Sequence, residues 1–252
     1  MKVIQEKIIT SDFGEKESEF FIYQPEKESN KVLFIIKGIY GVHRPVFKGE
    51  VNLKWDIEFV NYFTKNINVV CFNTSHKKNY DEFDRNERKD SYDGKTFDQE
   101  VGDIEKIIIR VKAILHSQGI QGPEFYFFGK SFGGTLLLAL KQSLESKALF
   151  MVGSGCGKSK TTSKTLLATM PEESVLLKNI STYHIGKFYF FRGELDGVVP
   201  KESQEKIVNA VNENIMEYTV LDGVDHEFEK VNGEYSDTPL KFLLQKVSES
   251  IL

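Results

Sequence analysis

The sequence predicts an α/β fold in which a mostly parallel sheet of about eight strands carries helices on both faces. Two features of the sequence predict the fold class and the number of domains. Short apolar runs alternate with longer amphipathic segments along most of the chain, a pattern typical of strand–helix–strand crossover units. No internal repeat and no linker rich in Gly, Ser or Pro divides the chain, which indicates a single domain over residues 1–252.

The strands are predicted to begin with an antiparallel hairpin and to continue as buried parallel strands. Residues 31–38, KVLFIIKG, are the strongest example, because an uninterrupted apolar run is expected where a strand is covered on both faces. NVVCFN and EFYFFG are two further short buried strands. The predicted strands, in order, are 3–10, 19–23, 31–38, 68–73, 124–129, 148–153, 187–193 and 215–221.

The helices are predicted chiefly from amphipathic segments that separate these strands. Apolar residues at helical spacing from Leu53 to Phe63 mark the first helix, and Thr96 and Gln99 stand at capping-box spacing where the longest one begins. The charge run at 80–90 is interpreted as a solvated surface segment. The predicted helices are 51–65, 96–115, 132–144, 201–212 and about 238–250.

The composition argues against several kinds of partner. A net charge of −4 gives no electrostatic basis for binding nucleic acid or an anionic membrane. No apolar run approaches the roughly 20 residues that span a bilayer, and the N-terminal residues lack the apolar stretch of an export signal. Cys71 and Cys156 are too few for a disulfide framework. We therefore expect a cytoplasmic protein that acts on a small molecule, with its oligomeric state left open.

One strand runs directly into a serine flanked by glycines. GKSFGG fits the pattern G-x-S-x-G with Gly129, Ser131 and Gly133, and it has the strand before and the helix after that a nucleophile elbow requires. Glycine at the flanking positions avoids collisions in a sharp turn, which presents the Ser131 hydroxyl to a cleft. The amide of Phe132 is then placed at the helix N-terminus, where it suits a developing oxyanion.

A serine hydroxyl needs a base, and the base needs an acid that orients it. His226 follows the last predicted strand and Asp196 follows the strand before it, which gives the chain order Ser, Asp, His. Such positions face the cleft, because ligands bind beyond the carboxyl ends of parallel strands. Glu194 is the alternative acid. Asp222 and Asp225 are poorer candidates, since they lie on the same loop as the base.

The three segments GKSFGG, RGELDGVVP and GVDHEF together resemble the α/β-hydrolase family. The resemblance spans about 100 residues and implies an α/β-hydrolase fold with serine-hydrolase chemistry. The last two segments look most like those of the dienelactone-hydrolase and prolyl-oligopeptidase-like branches. The combination is specific for the superfamily and does not identify the substrate.

The resemblance also implies that the loop after the third strand supplies a second oxyanion amide. In this chain the loop reads KGIYG, with Lys37-Gly38 where the family often has His-Gly. Because the donor is a backbone N–H, this departure does not abolish the role. Ile39 is the favoured donor and Tyr40 the alternative.

Residues 154–186 occupy the position at which the resembling family often inserts a cap. LLATMPEESVLLKNI is expected to supply one or two short helices of a small lid, so excising 160–182 is expected to alter substrate preference more than the fold. VGSGCGKS resembles a phosphate-binding loop, but Val152 stands where that motif needs glycine. Nucleotide binding is therefore not expected.

The remaining polar residues suggest no cofactor. The histidines and cysteines show no metal-ligand spacing, and the predicted chemistry needs none. His43, Arg44 and Lys48 lie close to the predicted oxyanion loop; a solvated loop is the favoured interpretation, and binding of an anionic substrate group is the other.

These observations predict a serine hydrolase that cleaves a small carboxylic ester or thioester, as a carboxylesterase does, since a short lid suits compact substrates. A serine peptidase or amidase of the same fold is one alternative. A non-catalytic protein that binds a small molecule in the same cleft is the other.

Overall fold

The computed structural model describes residues 1–41, 43, 55–77, 85–140, 145–157 and 164–252. Eight strands form the main sheet, and two short strands form a separate hairpin. The main-sheet strands are β1 (Lys2–Ile9), β2 (Glu17–Gln24), β3 (Lys31–Ile36), β4 (Asn68–Asn73), β5 (Glu124–Lys130), β6 (Glu145–Val152), β7 (His184–Gly193) and β8 (Met216–Leu221). The hairpin strands are β9 (Lys230–Val231) and β10 (Glu234–Tyr235).

Helices separate most of the strands, as the sequence predicts. The helices are α1 (Trp55–Phe63), α2 (Arg85–Ser91), α3 (Phe97–Ser117), α4 (Phe132–Leu137), α5 (Thr165–Ala168), α6 (Glu173–Ile180), α7 (Lys201–Ala210) and α8 (Thr238–Ile251). A single 3₁₀ turn, Glu213–Ile215, precedes β8. The capping box at the start of α3 is present, with the Thr96 hydroxyl accepting from the Gln99 amide and the Gln99 side chain accepting from the Thr96 amide.

The sheet is mixed at one edge and parallel elsewhere. Its order is β1-β2-β4-β3-β5-β6-β7-β8. β1 pairs antiparallel with β2, and β2 antiparallel with β4. All the other pairs are parallel, so the strands from β3 to β8 end at the same edge of the sheet. This strand order and direction confirm the predicted fold class. The loops after β3, β5, β7 and β8 consequently lie on one side of the sheet.

The apolar character of the central strands follows from burial on both faces. In β3, Val32, Phe34 and Ile36 belong to the core on the side of α3, whereas Leu33 and Ile35 belong to the core on the side of α1 and α8. All five side chains are at most 2% exposed. Helices on both faces therefore exclude water from the strand, as its sequence predicts.

The structure differs from some of the local predictions or leaves part of them undescribed. α4 ends at Leu137, earlier than the predicted residue 144, and residues 141–144 lie outside the described part. α2 begins within the predicted charged surface segment, 80–90, and the described side chains at 86–90 are largely exposed; residues 80–84 lie outside the described part.

His43 departs from the expected solvated loop, because it is buried at 1% exposure. Its Nε2 lies 2.7 Å from the Tyr23 hydroxyl. The His43 backbone N–H donates to Asn73 Oδ1 at 2.6 Å, and Asn73 Nδ2 donates to the His43 carbonyl at 2.9 Å. These contacts join the chain after β3 to β2 and β4. Arg44 and Lys48 lie outside the described residues.

Candidate active site

Ser131 occupies the sharp turn between β5 and α4. Its φ of 54° and ψ of −123° are sparsely populated for any residue with a side chain. Its amide donates to the Val152 carbonyl at 2.7 Å, and its carbonyl accepts from Gly134 at 3.1 Å. A Cβ at Gly133 would lie 2.2 Å from the Ile36 carbonyl oxygen, so only glycine permits this approach of helix and strand. The surrounding backbone thus holds Ser131 in a strained conformation.

Ser131, His226 and Asp196 form a continuous chain of hydrogen bonds. His226 Nε2 lies 3.0 Å from Ser131 Oγ, and His226 Nδ1 lies 2.9 Å from Asp196 Oδ2. With the ring proton on Nδ1, the imidazole donates a hydrogen bond to Asp196, and its Nε2 accepts a hydrogen bond from the Ser131 hydroxyl. The loops after β5, β7 and β8 therefore bring together three side chains that lie far apart in the sequence.

The Asp196 carboxylate is almost completely enclosed and well supplied with donors. Its Oδ1 accepts from the amides of Val198 at 2.9 Å and Val199 at 3.0 Å, and its Oδ2 also accepts from Gln204 Nε2 at 3.1 Å. Burial by itself raises the pKa of this carboxyl, but the bonds from His226 and the two amides outweigh it, so the pKa lies below its usual value of 3.8. Asp196 is therefore ionised at neutral pH and able to stabilise an imidazolium.

Two of the competing carboxylates accept hydrogen bonds elsewhere, and the third is exposed. Glu194 accepts from the Gly223 amide at 2.8 Å and so supports the turn after β8. Asp225 Oδ1 accepts from the amides of Glu229 at 3.2 Å and Lys230 at 3.3 Å, which stabilises the loop that carries His226. Asp222 is exposed. The geometry thus pairs His226 with Asp196 rather than with Glu194.

The predicted oxyanion loop lies against the nucleophile. Gly38 accepts from the Gly41 amide at 3.0 Å to close a tight turn, in which Tyr40 adopts a φ of 58°. A Cβ at Gly38 would lie 3.4 Å from Ser131 Cβ. Within the described part of the chain, the amides of Ile39, Tyr40 and Phe132 donate to no protein acceptor. All three remain available to a ligand, and the choice between Ile39 and Tyr40 stays a prediction.

Two residues at the site were not predicted from the sequence. Gly153, directly after β6, has a φ of +55°, and a Cβ there would lie 3.2 Å from Asp196 Oδ2 and 3.3 Å from His226 Nδ1. It belongs to the segment that resembles a phosphate-binding loop, so part of that segment lies directly against the Asp196–His226 pair. Gln204, on α7, is fully buried and donates to Asp196.

A cavity of about 20 Å³ adjoins the predicted oxyanion loop. Its lining includes Ile39 and Phe132, together with Leu136 from α4 and Leu166 from α5. A space of this size holds about one water molecule or methylene group. The Thr169 hydroxyl accepts from the Phe97 amide at 2.8 Å, which joins the end of α5 to the start of α3. The described part of the predicted cap is therefore fixed to the core at one wall of this cavity.

The described part of the chain offers neither a membrane-spanning helix nor a cluster of metal-ligating side chains. No helix in that part of the chain is long and apolar enough to cross a bilayer. Among the same residues, no group of three His, Cys, Asp or Glu side chains is arranged to bind a metal ion.

The strand order, the antiparallel second strand and the serine elbow after the fifth strand define an α/β-hydrolase fold. The chain matches no protein-family model and no curated protein sequence. Solved structures do resemble it. An esterase domain from a Rhodothermus marinus protein superimposes with a TM-score of 0.62 at 15% identity, over 98% of this chain and 97% of that one.

Two further structures give the same result over nearly their whole length. A putative hydrolase from Agrobacterium vitis S4 has a TM-score of 0.64 at 13% identity, with complete coverage of both chains. The peroxisomal α/β-hydrolase Lpx1 from Saccharomyces cerevisiae has a TM-score of 0.65 at 12% identity, over 98% of this chain and 89% of that one. At these identities the likeness establishes the fold.

Proposed function

We propose that this protein is a serine hydrolase that cleaves a small carboxylic ester or thioester through an acyl-enzyme on Ser131. The proposal depends on one observation, the hydrogen-bonded chain from Asp196 through His226 to Ser131. A serine hydroxyl is a weak nucleophile at neutral pH, and this arrangement supplies both the base that activates it and the acid that orients the base.

The first half of the reaction transfers the acyl group to the enzyme. Ser131 Oγ attacks the substrate carbonyl carbon while His226 Nε2 accepts the hydroxyl proton, and Asp196 stabilises the resulting imidazolium. The carbonyl oxygen becomes an oxyanion that accepts from the Phe132 amide and from Ile39, or alternatively Tyr40. When the bond to the leaving group breaks, His226 returns the proton to the departing alcohol or thiol.

The second half releases the acid and restores the enzyme. A water molecule gives a proton to His226 Nε2 and attacks the acyl carbon, and the same amides bind the second oxyanion. Collapse of this intermediate breaks the bond to Ser131 Oγ, which takes the proton back from His226. The carboxylic acid leaves, and no cofactor enters any step.

The preference for a compact acyl group rests on the small cavity beside the oxyanion loop and on the short cap. Esterases and hydrolases are among the proteins of similar fold, which supports hydrolysis as the class of reaction. A panel of p-nitrophenyl esters, acyl-CoA thioesters and aminoacyl-naphthylamides tests the substrate. Turnover of the first two classes is expected; turnover of the naphthylamides alone would identify a peptidase or amidase.

An activity-based fluorophosphonate probe tests catalysis directly, because it reacts covalently with activated serines. We expect the wild type to be labelled and Ser131→Ala to remain unlabelled, with circular dichroism showing that both are folded. Equal labelling of the two proteins, or none of either, would refute the proposal. The second of these outcomes would favour a non-catalytic binding protein.

A further inference from the structure

Lys130, directly before Ser131, carries a buried charge that the proposed reaction does not use. Its side chain is only 8% exposed, and its ammonium group forms an ion pair with the Glu227 carboxylate. Glu227 directly follows His226 and is 60% exposed. One ion pair thus joins the residue before the proposed nucleophile to the residue after the proposed base.

Several described contacts of the His226 loop hold it to itself, to the loop after β7 or to the core. Asp225 accepts from two amides of its own loop, and the Leu195 amide donates to the Val224 carbonyl at 2.9 Å. Phe228, with a φ of 61°, is buried at 4% exposure in the core on the side of α8. The Lys130–Glu227 pair reaches instead to the end of β5, beside the hydrogen bond between His226 and Ser131.

We propose that Lys130 and Glu227 are positioning residues that keep His226 Nε2 within reach of Ser131 Oγ, an inference that rests on the proposed hydrolase function. A buried ammonium group has lost most of its water, so its attraction to a neighbouring carboxylate is screened less than that of an exposed lysine. The ion pair then keeps the loop that carries His226 at a fixed distance from the sharp turn at Ser131. Catalytic rates depend steeply on this distance, since a misplacement of about 1 Å costs on the order of 100-fold.

Two substitutions each remove one charge of the ion pair while keeping most of the side chain. Glu227→Gln removes the negative charge at an exposed position, and Lys130→Met removes the ammonium group but keeps most of the stem. We expect each to lower kcat by about 10- to 100-fold with little change in KM, because His226 is displaced while the substrate cleft is not.

The double variant tests whether the two residues act as one unit. Because both single substitutions break the same contact, the double variant is expected to be about as slow as the slower single variant. The charge-reversed pair, Lys130→Glu with Glu227→Lys, is expected to recover part of the kcat that each reversed single variant loses. Lys246→Met, which removes remote ion pairs with Glu217 at 3.1 Å and Glu249 at 3.6 Å, is the control for loss of a lysine charge and should keep the wild-type kcat.

The possible outcomes distinguish this inference from the proposed function. Equal fluorophosphonate labelling of wild type and Ser131→Ala refutes the hydrolase itself. If the wild type is active, an unchanged kcat in Glu227→Gln overturns the positioning role, even where Lys130→Met fails to fold. A rise in KM alone, or losses that multiply in the double variant, overturns it as well, since these indicate substrate contact or independent effects.

Discussion

Gly153 lies directly against the imidazole of His226. A methyl group at its Cα would sit 3.3 Å from His226 Nδ1 and 3.2 Å from Asp196 Oδ2, closer than side chains normally approach. The Gly153 amide donates to the Phe191 carbonyl at 2.9 Å, which fixes the backbone between β6 and β7. Bare backbone therefore forms one wall of the Asp196–His226 pair.

Gly153→Ala is expected to lower both stability and kcat. Its φ of +55° is unfavourable for alanine by about 1–2 kcal/mol. The added methyl group also displaces the Asp196–His226 pair by a few tenths of an ångström, which we expect to lower kcat by about 10-fold. Urea unfolding and steady-state kinetics on p-nitrophenyl acetate measure the two effects separately.

Gly122→Ala is the matched control for this substitution. Gly122 has a φ of +56°, and an added Cβ would have no neighbour within 4 Å. The control should lose the same backbone energy without losing activity. Equal kcat values in the two variants would show that Gly153 does not constrain the proposed catalytic pair.

Asp196→Asn is expected to lower kcat by about 10³- to 10⁴-fold, because an amide does not stabilise the imidazolium and favours the wrong histidine tautomer. Glu194→Gln should change kcat by less than about threefold, since Glu194 bonds the Gly223 amide rather than His226. Kinetics on the same ester compare the two. The reverse pattern would assign the acid role to Glu194.

Much of the site could be predicted because it depends on short, local signals. The serine elbow is encoded within six consecutive residues, and Asp196 and His226 follow the neighbouring strands β7 and β8, which lie on the same side of β5. The apolar pattern of β3 shows that both faces are covered. Fold class and the three proposed catalytic side chains therefore follow from the sequence and from the rule that parallel strands end at one edge.

The supporting residues depend on contacts between segments far apart in the chain. Gly153 resembled part of a phosphate-binding loop, and nothing local distinguishes Gln204 from any polar residue of an amphipathic helix. The sequence predicts a solvated loop around His43, but in the structure His43 is buried and forms hydrogen bonds with Tyr23 and Asn73. The partner of Lys130 is 97 residues away. Sequence spacing carries no information about such pairings.

The depressed pKa of Asp196 predicts how stability varies with pH. Because the folded-state pKa lies below 3.8, the folded protein binds this proton less readily than the unfolded chain does. The ionised carboxylate therefore contributes stability above about pH 4, and this contribution is lost as the pH falls through the folded-state pKa.

Asp196→Asn isolates this effect, because it removes the titrating group. We expect the difference in unfolding free energy between wild type and Asp196→Asn to be larger near pH 5 than near pH 2.5. Urea unfolding at both pH values measures it, with similar m-values required of the two proteins. A difference that stays constant or grows in acid would contradict the assigned direction of the pKa.

The predicted cap contains residues that belong to the core as well as one that lines the cavity, which affects how its proposed role can be tested. Leu166 and Leu176 are buried at 2% and 0% exposure and belong to the core on the side of α3. Excising 160–182 removes both side chains, so we expect it to destabilise the core as well as to alter the cavity. Point substitutions separate these effects, since Leu166 lines the cavity beside Ile39 and Phe132 whereas the lining does not include Leu176.

Leu166→Ala is expected to shift substrate preference towards longer acyl groups. The cavity adjoins both favoured oxyanion donors, so we expect it to receive the acyl chain, and truncation of one wall gives that chain more room. Leu176→Ala is the control, because each substitution should cost about 2–5 kcal/mol of stability. The ratio of kcat/KM for p-nitrophenyl hexanoate to that for the acetate should rise only in Leu166→Ala. If both variants keep the wild-type ratio, the acyl chain lies elsewhere in the cleft.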